Sequence, residues 1–145
     1  GTGGTDAATA RTNLGLVIGT NVQAYDADTA KTDVAQTWSA AQQFGQIAGT
    51  TTAVAASAID CSLGNVFTKT TSSNTTFTVS NVPSSKAYGF TLVLTYTSGT
   101  ITWFTGVQWR DGTAPTFTGG KVYFVIFETT NGGSTWRGAA LEFNG

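Results

Sequence analysis

Histidine is missing from this chain and cysteine occurs once, which closes two common routes to chemistry at the start. A Ser-His-Asp or Cys-His arrangement cannot be built. A zinc or iron site normally draws several His or Cys ligands, so neither a metal nor another cofactor is expected. Cys61 has no second thiol to pair with and no imidazole to activate it. It is read as a small buried hydrophobe. Charge is scarce as well: seven basic residues stand against eight acidic ones, and stretches 34–59 and 87–109 carry none. A nucleic-acid partner would require a stripe of Lys and Arg, and the basic residues are scattered, so no such partner is expected. Gln, Thr, Ser and Gly interrupt the uncharged stretches well before the ~20 apolar residues of a membrane span accumulate. No membrane insertion is expected. No secretory leader pattern is present, and the chain opens without Met, as a processed product or a piece of a longer protein would.

Apolar residues are unevenly spread. Residues 1–50 contain only three aromatics, Tyr25, Trp38 and Phe44, whereas 51–145 contain fourteen. Ordering a residue costs on the order of 1–2 kcal/mol, and the leading part has too little apolar surface to offset that alone. Two domains follow: an oligomerising stem over 1–50, with a disordered Ala/Thr/Gly-rich linker as the alternative, and a β-sandwich knob over 51–145. In the stem, Thr5 or Asp6 can N-cap a helix through Ala7-Ala8-Thr9-Ala10-Arg11, with Gly15 placed to stop it after Leu14. "AYDADTAKTD" suggests another turn or two, and "QTWSAAQQFG" an extended segment. Helices this short are marginal in isolation. The island Leu14-Gly15-Leu16-Val17-Ile18 is therefore expected to pack on sister chains, with Leu14, Leu16, Ile18, Trp38 and Phe44 at the oligomer interface.

From residue 51 onward, Thr, β-branched and aromatic residues favour strands, separated by turn residues at the spacing of a sandwich. Strands are expected at 51–59, 64–71, 75–80, 88–97, 100–105, 107–110, 121–130 and 135–143. The fold class is all-β, an antiparallel, jelly-roll-like sandwich preceded by an extended stem with short helices. "FTLVLTYT" alternates, and Ser98-Gly99 suits a two-residue hairpin turn. In that register Leu94 would face Trp103 on the core side and Val93 would face Phe104. "KVYFVIFETT" is apolar on both faces, as in a central strand covered twice. Its outer face must meet something, and a sister subunit, contacted through Tyr123, Val125 and Phe127, is the expected neighbour.

Function on such a scaffold sits in its loops. "RDGTAPTFTGG", residues 110–120, begins with an Asp-Gly turn and is stiffened by Pro115. Arg110, Asp111 and Thr113 there, with Asn131 and Arg137 at the "TTNGGSTWRG" tip, are the candidate ligand contacts. With the aromatic face of Trp109, a forked donor and a carboxylate would suit sugars, but Trp109 shares parity with Val107, which favours the core for its ring. Trp136 and Arg137 have opposite parity, so a core Trp with an exposed Arg is expected. A glycosidase would need two carboxyl groups about 5–9.5 Å apart. Glu128 and Glu142, near mirrored ends of the last hairpin, are the one pair that could approach. Glu at strand ends is ordinarily a solvated edge charge, so no catalytic residue is assigned and a non-enzyme is expected.

"ATARTNLGL" followed by "AYDADTAKTDVAQTWSAAQQF" resembles the linker-and-stem segments of bacteriophage fibre proteins. "ITWFTGVQWRDGTAPTFTGGKVYFVIFETTNGGSTWRGAAL" is similar to the end domain of many such virion parts, with two Trp flanking a turn and a Gly-rich hairpin carrying a third. The resemblance implies a virion structural protein of fibre type, tail or capsid fibre. It would be a homotrimer on the particle surface, contacting other virion proteins and presenting a knob to a host-surface glycan or protein. A capsid decoration protein without a receptor role is the alternative. The family carries no catalytic motif to transfer.

Overall fold

The computed structural model describes residues 6–16, 41, 43 and 45–144. The chain divides into two compact units, Gly1–Gln46 and Ile47–Gly145. In the first, α1 (Ala7–Asn13) is capped by Asp6, whose carboxylate accepts from the backbone N–H of Ala8 at 2.8 Å and Thr9 at 2.9 Å. These bonds hold the Asp6 carboxyl below its ordinary pKa, the Thr9 backbone donor being the largest cause. Gly15 (φ +67°) closes the other end, with Leu16 N–H donating to Arg11 C=O and Gly15 N–H to Thr12 C=O. That pair of bonds is the Schellman closure a glycine at this position permits. Leu14 and Leu16 are both exposed. Ile18, Trp38, Phe44 and the segment 24–33 lie outside the described residues.

The second unit is mostly sheet, so the all-β expectation holds at that level. Its strands are β1 (Thr51–Ala53), β2 (Ala58–Asp60), β3 (Val66–Thr71), β4 (Thr75–Thr76), β5 (Thr78–Ser80), β6 (Tyr88–Tyr96), β7 (Ile101–Thr102), β8 (Val107–Trp109), β9 (Lys121–Thr129) and β10 (Trp136–Asn144). Six of them form one sheet in the order β1-β3-β6-β9-β10-β8; β2-β5 and β4-β7 form two small sheets.

The expected antiparallel pairing is corrected. Only β6-β9 and β9-β10 are antiparallel; the ladders β1-β3, β3-β6, β2-β5, β4-β7 and β10-β8 are parallel. Parallel neighbours need a crossover of a dozen or more residues, and the chain supplies one each time. Thr51 lies beside Val66, and Val66 beside Thr91. The crossovers are strands rather than helices. From β1 the chain crosses to β2 and returns as β3; it crosses again through β4 and β5 and returns as β6. Successive circuits stack, so β2 lies on β5 and β4 on β7.

The stacking also explains why Ser98-Gly99 does not make the expected hairpin. The corner 97–100 sits on the corner 71–75 of the preceding circuit. Thr97 N–H donates to Thr71 C=O at 2.8 Å, Ser98 Oγ to Ser72 C=O at 2.9 Å, and Thr100 N–H to the Asn74 side-chain oxygen at 2.9 Å. Gly99 has φ +100°, and a Cβ there would fall on the Ser73 carbonyl and 2.6 Å from Asn74 N. Beyond it, β7 pairs with β4 rather than folding back on β6. Leu94 and Trp103 are therefore not ladder partners.

Circuits are also why two expected strands are each split. After β1 the chain turns through 54–57, and the Lys69 ammonium gathers the carbonyls of Val54, Ala55 and Ala56 there. At Phe77 the chain changes partner: Phe77 N–H donates to Thr102 C=O, and Thr78 N–H to Ser57 C=O. Phe77 itself is fully buried and stacks on Trp103 with ring centroids 5.2 Å apart.

One face of the large sheet makes the core. Phe67, Phe90, Leu92, Leu94, Tyr123, Val125, Phe127 and Trp136 are buried together with Ile59, Cys61, Phe77 and Phe104 from the crossing segments. Phe127 is ringed by Phe90, Trp103, Phe104 and Trp109 at centroid distances of 5.0–5.6 Å. Burying such a ring contributes about 1.5–3 kcal/mol, and each favourable ring pair adds about 0.5–1.5 kcal/mol. Trp103 belongs to this aromatic cluster and so is a core residue as expected, although the hairpin register from which that was read is not the one adopted. β9 has the alternating burial of a strand covered on one face, so Tyr123, Val125 and Phe127 are core residues. Their assignment to an oligomer interface is corrected: the pleat turns Phe124 and Ile126 outward instead.

Candidate functional site

The loop from Trp109 to Gly120 is held at both ends. Gly112 N–H donates to Trp109 C=O at 3.0 Å, which closes the Asp-Gly turn. At the far end Thr118 N–H donates to the Tyr123 hydroxyl at 2.7 Å, and Gly120 N–H to Tyr96 C=O at 2.8 Å. Phe117 packs edge-on to Tyr123, centroids 4.7 Å apart, and against Tyr96 at 5.6 Å. The loop's second half is thereby anchored to the core, and its first half is left exposed.

That exposed half borders a hollow of about 140 Å³ lined by Trp109, Arg110, Asp111, Thr113, Pro115, Ala139 and Ala140. Three of the five residues expected to contact a ligand, Arg110, Asp111 and Thr113, thus come together. Trp109 is half-buried and packs on Trp103 and Phe127. Its ring lies so close to Gly138 that a Cβ there would stand 2.7 Å from Cζ3. β10 can pass beneath the indole only because residue 138 has no side chain. Both of the Trp109 readings therefore meet: the ring is seated on the core and still lines the hollow.

Arg110 Nε and Asp111 Oδ1 are 3.9 Å apart, with side chains 86% and 85% exposed. An ion pair in water at that distance contributes little, so both groups remain available to a third partner. The hollow is well below the ~300 Å³ of pockets that enclose a ligand. Its lining brings together an indole, a guanidinium, a carboxylate and a hydroxyl, an apolar surface beside hydrogen-bonding groups.

Asn131 and Arg137 do not join this site. The Asn131 side-chain oxygen accepts from Thr129 Oγ1 at 3.0 Å and Thr135 N–H at 3.0 Å, while Thr129 Oγ1 also accepts from Gly133 N–H. Asn131 shapes the tip of the β9-β10 turn. Arg137 is exposed, as expected from its parity with the buried Trp136. It lies across from Glu128 on β9 and Gln108 on β8, on the sheet face away from the core. The two carboxylates considered as a catalytic pair are also separated. Glu128 pairs with Arg137, and Glu142 with Tyr123, five residues farther along β9. That is about 17 Å, beyond the range of a glycosidase pair. Glu142 instead accepts from the Tyr123 hydroxyl at 2.8 Å.

A second polar cluster was not singled out in the sequence. Asp60 accepts from Ser62 N–H at 2.9 Å, Ser62 Oγ at 2.6 Å and Asn81 Nδ2 at 2.9 Å. Its carboxyl is lowered from the usual range, chiefly by the Ser62 hydroxyl and then by Asn81. The signal available for it was Asp60-Cys61-Ser62, whose spacing permits an Asp side chain to bond the backbone two residues on. Cys61 is buried, and burial pushes its thiol above the ordinary value. The same burial raises the Tyr88 hydroxyl, which donates to Gly64 C=O. Among the described residues, no three His, Cys, Asp or Glu side chains gather as a metal site would require, and no helix is long and apolar enough to cross a membrane.

Comparison with protein-family models, with curated proteins and with solved structures finds no match.

Proposed function

We propose that this chain is a virion structural protein of bacteriophage fibre type that works without catalysis. Residues 51–145 form its sandwich-like knob and 1–50 its stem, and three copies assemble on the particle surface beside other virion proteins. The observation that carries the attachment role is the exposed hollow beside Trp109, where an indole edge, a guanidinium, a carboxylate and a hydroxyl converge on one anchored loop. Those groups suit a host-surface glycan, or a protein side chain of similar polarity. A hollow this shallow binds weakly, and three on one knob raise avidity through effective concentration. The sequence resemblance supports the virion assignment.

Binding of the whole chain to a panel of host-surface glycans, compared with Arg110→Ala and Asp111→Ala variants, tests the site. Each variant is expected to weaken binding about tenfold, equivalent to about 1.4 kcal/mol, with unchanged thermal stability. Undiminished binding in both overturns the site. Electron microscopy of particles tests the location: copies at every capsid symmetry axis would replace the tail-fibre reading with that of a capsid decoration protein.

A further inference from the structure

The face of the large sheet that turns away from the core carries an unusual set of residues. On β9 it presents Val122, Phe124, Ile126 and Glu128; on β10, Arg137, Ala139, Leu141 and Phe143. Phe124, Ile126, Leu141 and Phe143 are 39%, 42%, 53% and 45% exposed. They are contiguous, because Leu141 lies directly across from Phe124, and the Phe124 and Phe143 rings approach to 4.8 Å. Neighbouring strands extend the face with Thr91, Val93 and Thr95 on β6, Val66, Thr68 and Thr70 on β3, and Thr51 and Ala53 on β1. Its only charges are Glu128 and Arg137, which lie opposite each other at one end.

We infer that this face is buried against a second copy of the same chain. Three features select that occupant. The face has no net charge, so it offers nothing to complement an acidic or basic partner, whereas the apolar surface of a neighbouring copy around the assembly axis suits it. Its exposed apolar side chains on β9 and β10 stand clear of the hollow that Ala53, Thr68, Thr70, Val93 and Thr95 line on the other side of the face. The five strands from β1 to β10 cover roughly 600 Å² in plan, close to the ~800 Å² per partner of a stable association once side-chain relief is counted. Isolated apolar side chains on a surface need no explanation, but a contiguous uncharged patch marks a contact. The inference rests on the oligomeric part of the proposed function and assigns that role to Phe124, Ile126, Leu141 and Phe143.

The test is sedimentation of the full chain at micromolar concentration, alongside Phe124→Ser and the double variant I126K/L141S. The native chain is expected to be oligomeric, with each variant's dissociation constant raised about a hundredfold or more and its circular dichroism unchanged. An oligomer whose stability is untouched by either variant overturns this face and leaves the oligomeric reading standing. A native chain that stays monomeric overturns both. If the variants fail to fold, an Ile126→Cys chain decides the matter: a thiol protected in the assembly supports the face, and one that reacts at the rate of an open surface thiol overturns it.

Discussion

Replacing Gly99 by Ala adds one methyl group at the corner where two circuits of the chain meet. The backbone there has φ +100°, which L side chains rarely adopt; leaving that region's favoured residue costs on the order of 1–2 kcal/mol. The methyl would also land on the Ser73 carbonyl and 2.6 Å from Asn74 N. Both are backbone atoms held by the Thr75–Thr100 and Thr100–Asn74 bonds, so no flexible side chain can move aside. Overpacking of this kind adds about 1–3 kcal/mol. The two contributions together come to about 2–5 kcal/mol, which for a unit of this size lowers Tm by roughly 10 °C or more. Gly112→Ala is the matched control. Its φ is +77°, but nothing stands within 4 Å of the added carbon, so only the backbone contribution of about 1–2 kcal/mol remains. Thermal unfolding of both variants by circular dichroism decides the matter. Equal losses would refute the claim that corner 97–100 rests on corner 71–75, and with it the stacked-circuit account of the fold.

Other substitutions reach different parts of the molecule. Lys69→Met, which keeps the stem but removes the ammonium held by three carbonyls, is expected to cost about 2 kcal/mol in urea unfolding; a loss within 0.5 kcal/mol would show that those carbonyls are satisfied without it. Asp60 has a depressed folded-state pKa, so its contribution is present above the unfolded value and lost as pH falls through the folded one. Stability should therefore decline below about pH 4, and Asp60→Asn should flatten that decline; an identical acid profile in the variant would contradict the assignment. Cys61, buried and raised, should react with a thiol reagent at pH 8 only at the rate of unfolding, and immediate stoichiometric labelling would contradict its burial.

Much of the local structure was legible in the sequence. Asp6 and Gly15 bound the first helix because a capping carboxylate and an αL residue act within one turn. β3, β6, β8, β9 and β10 fall within a residue or two of their expected ranges, since alternation is a local signal. The ladders were not legible. Ser98-Gly99 is compatible with both a hairpin and a corner between layers, and only the stacking of Ser72, Ser73 and Asn74 beneath it selects the corner. The β9 run was correctly read as apolar on both faces, but the residues assigned outward were those of the wrong parity. Periodicity of two gives the alternation without its phase; that phase is set by β6 and β10 on either side. In the site, Arg110, Asp111 and Thr113 are sequence neighbours and so meet in one loop. Ala139 and Ala140 complete the hollow from a strand thirty residues away in sequence, where no local pattern could place them.

The position of β10 has a consequence for how this protein is made. It lies between β9 and β8, although β8 is synthesised well before it. Until the polypeptide has been extended through Gly138, β8 has no ladder partner and Trp109 no Gly138 to rest on. Earlier circuits can begin to assemble during translation, but the loop over 109–120 acquires its shape only after β10 has joined the sheet.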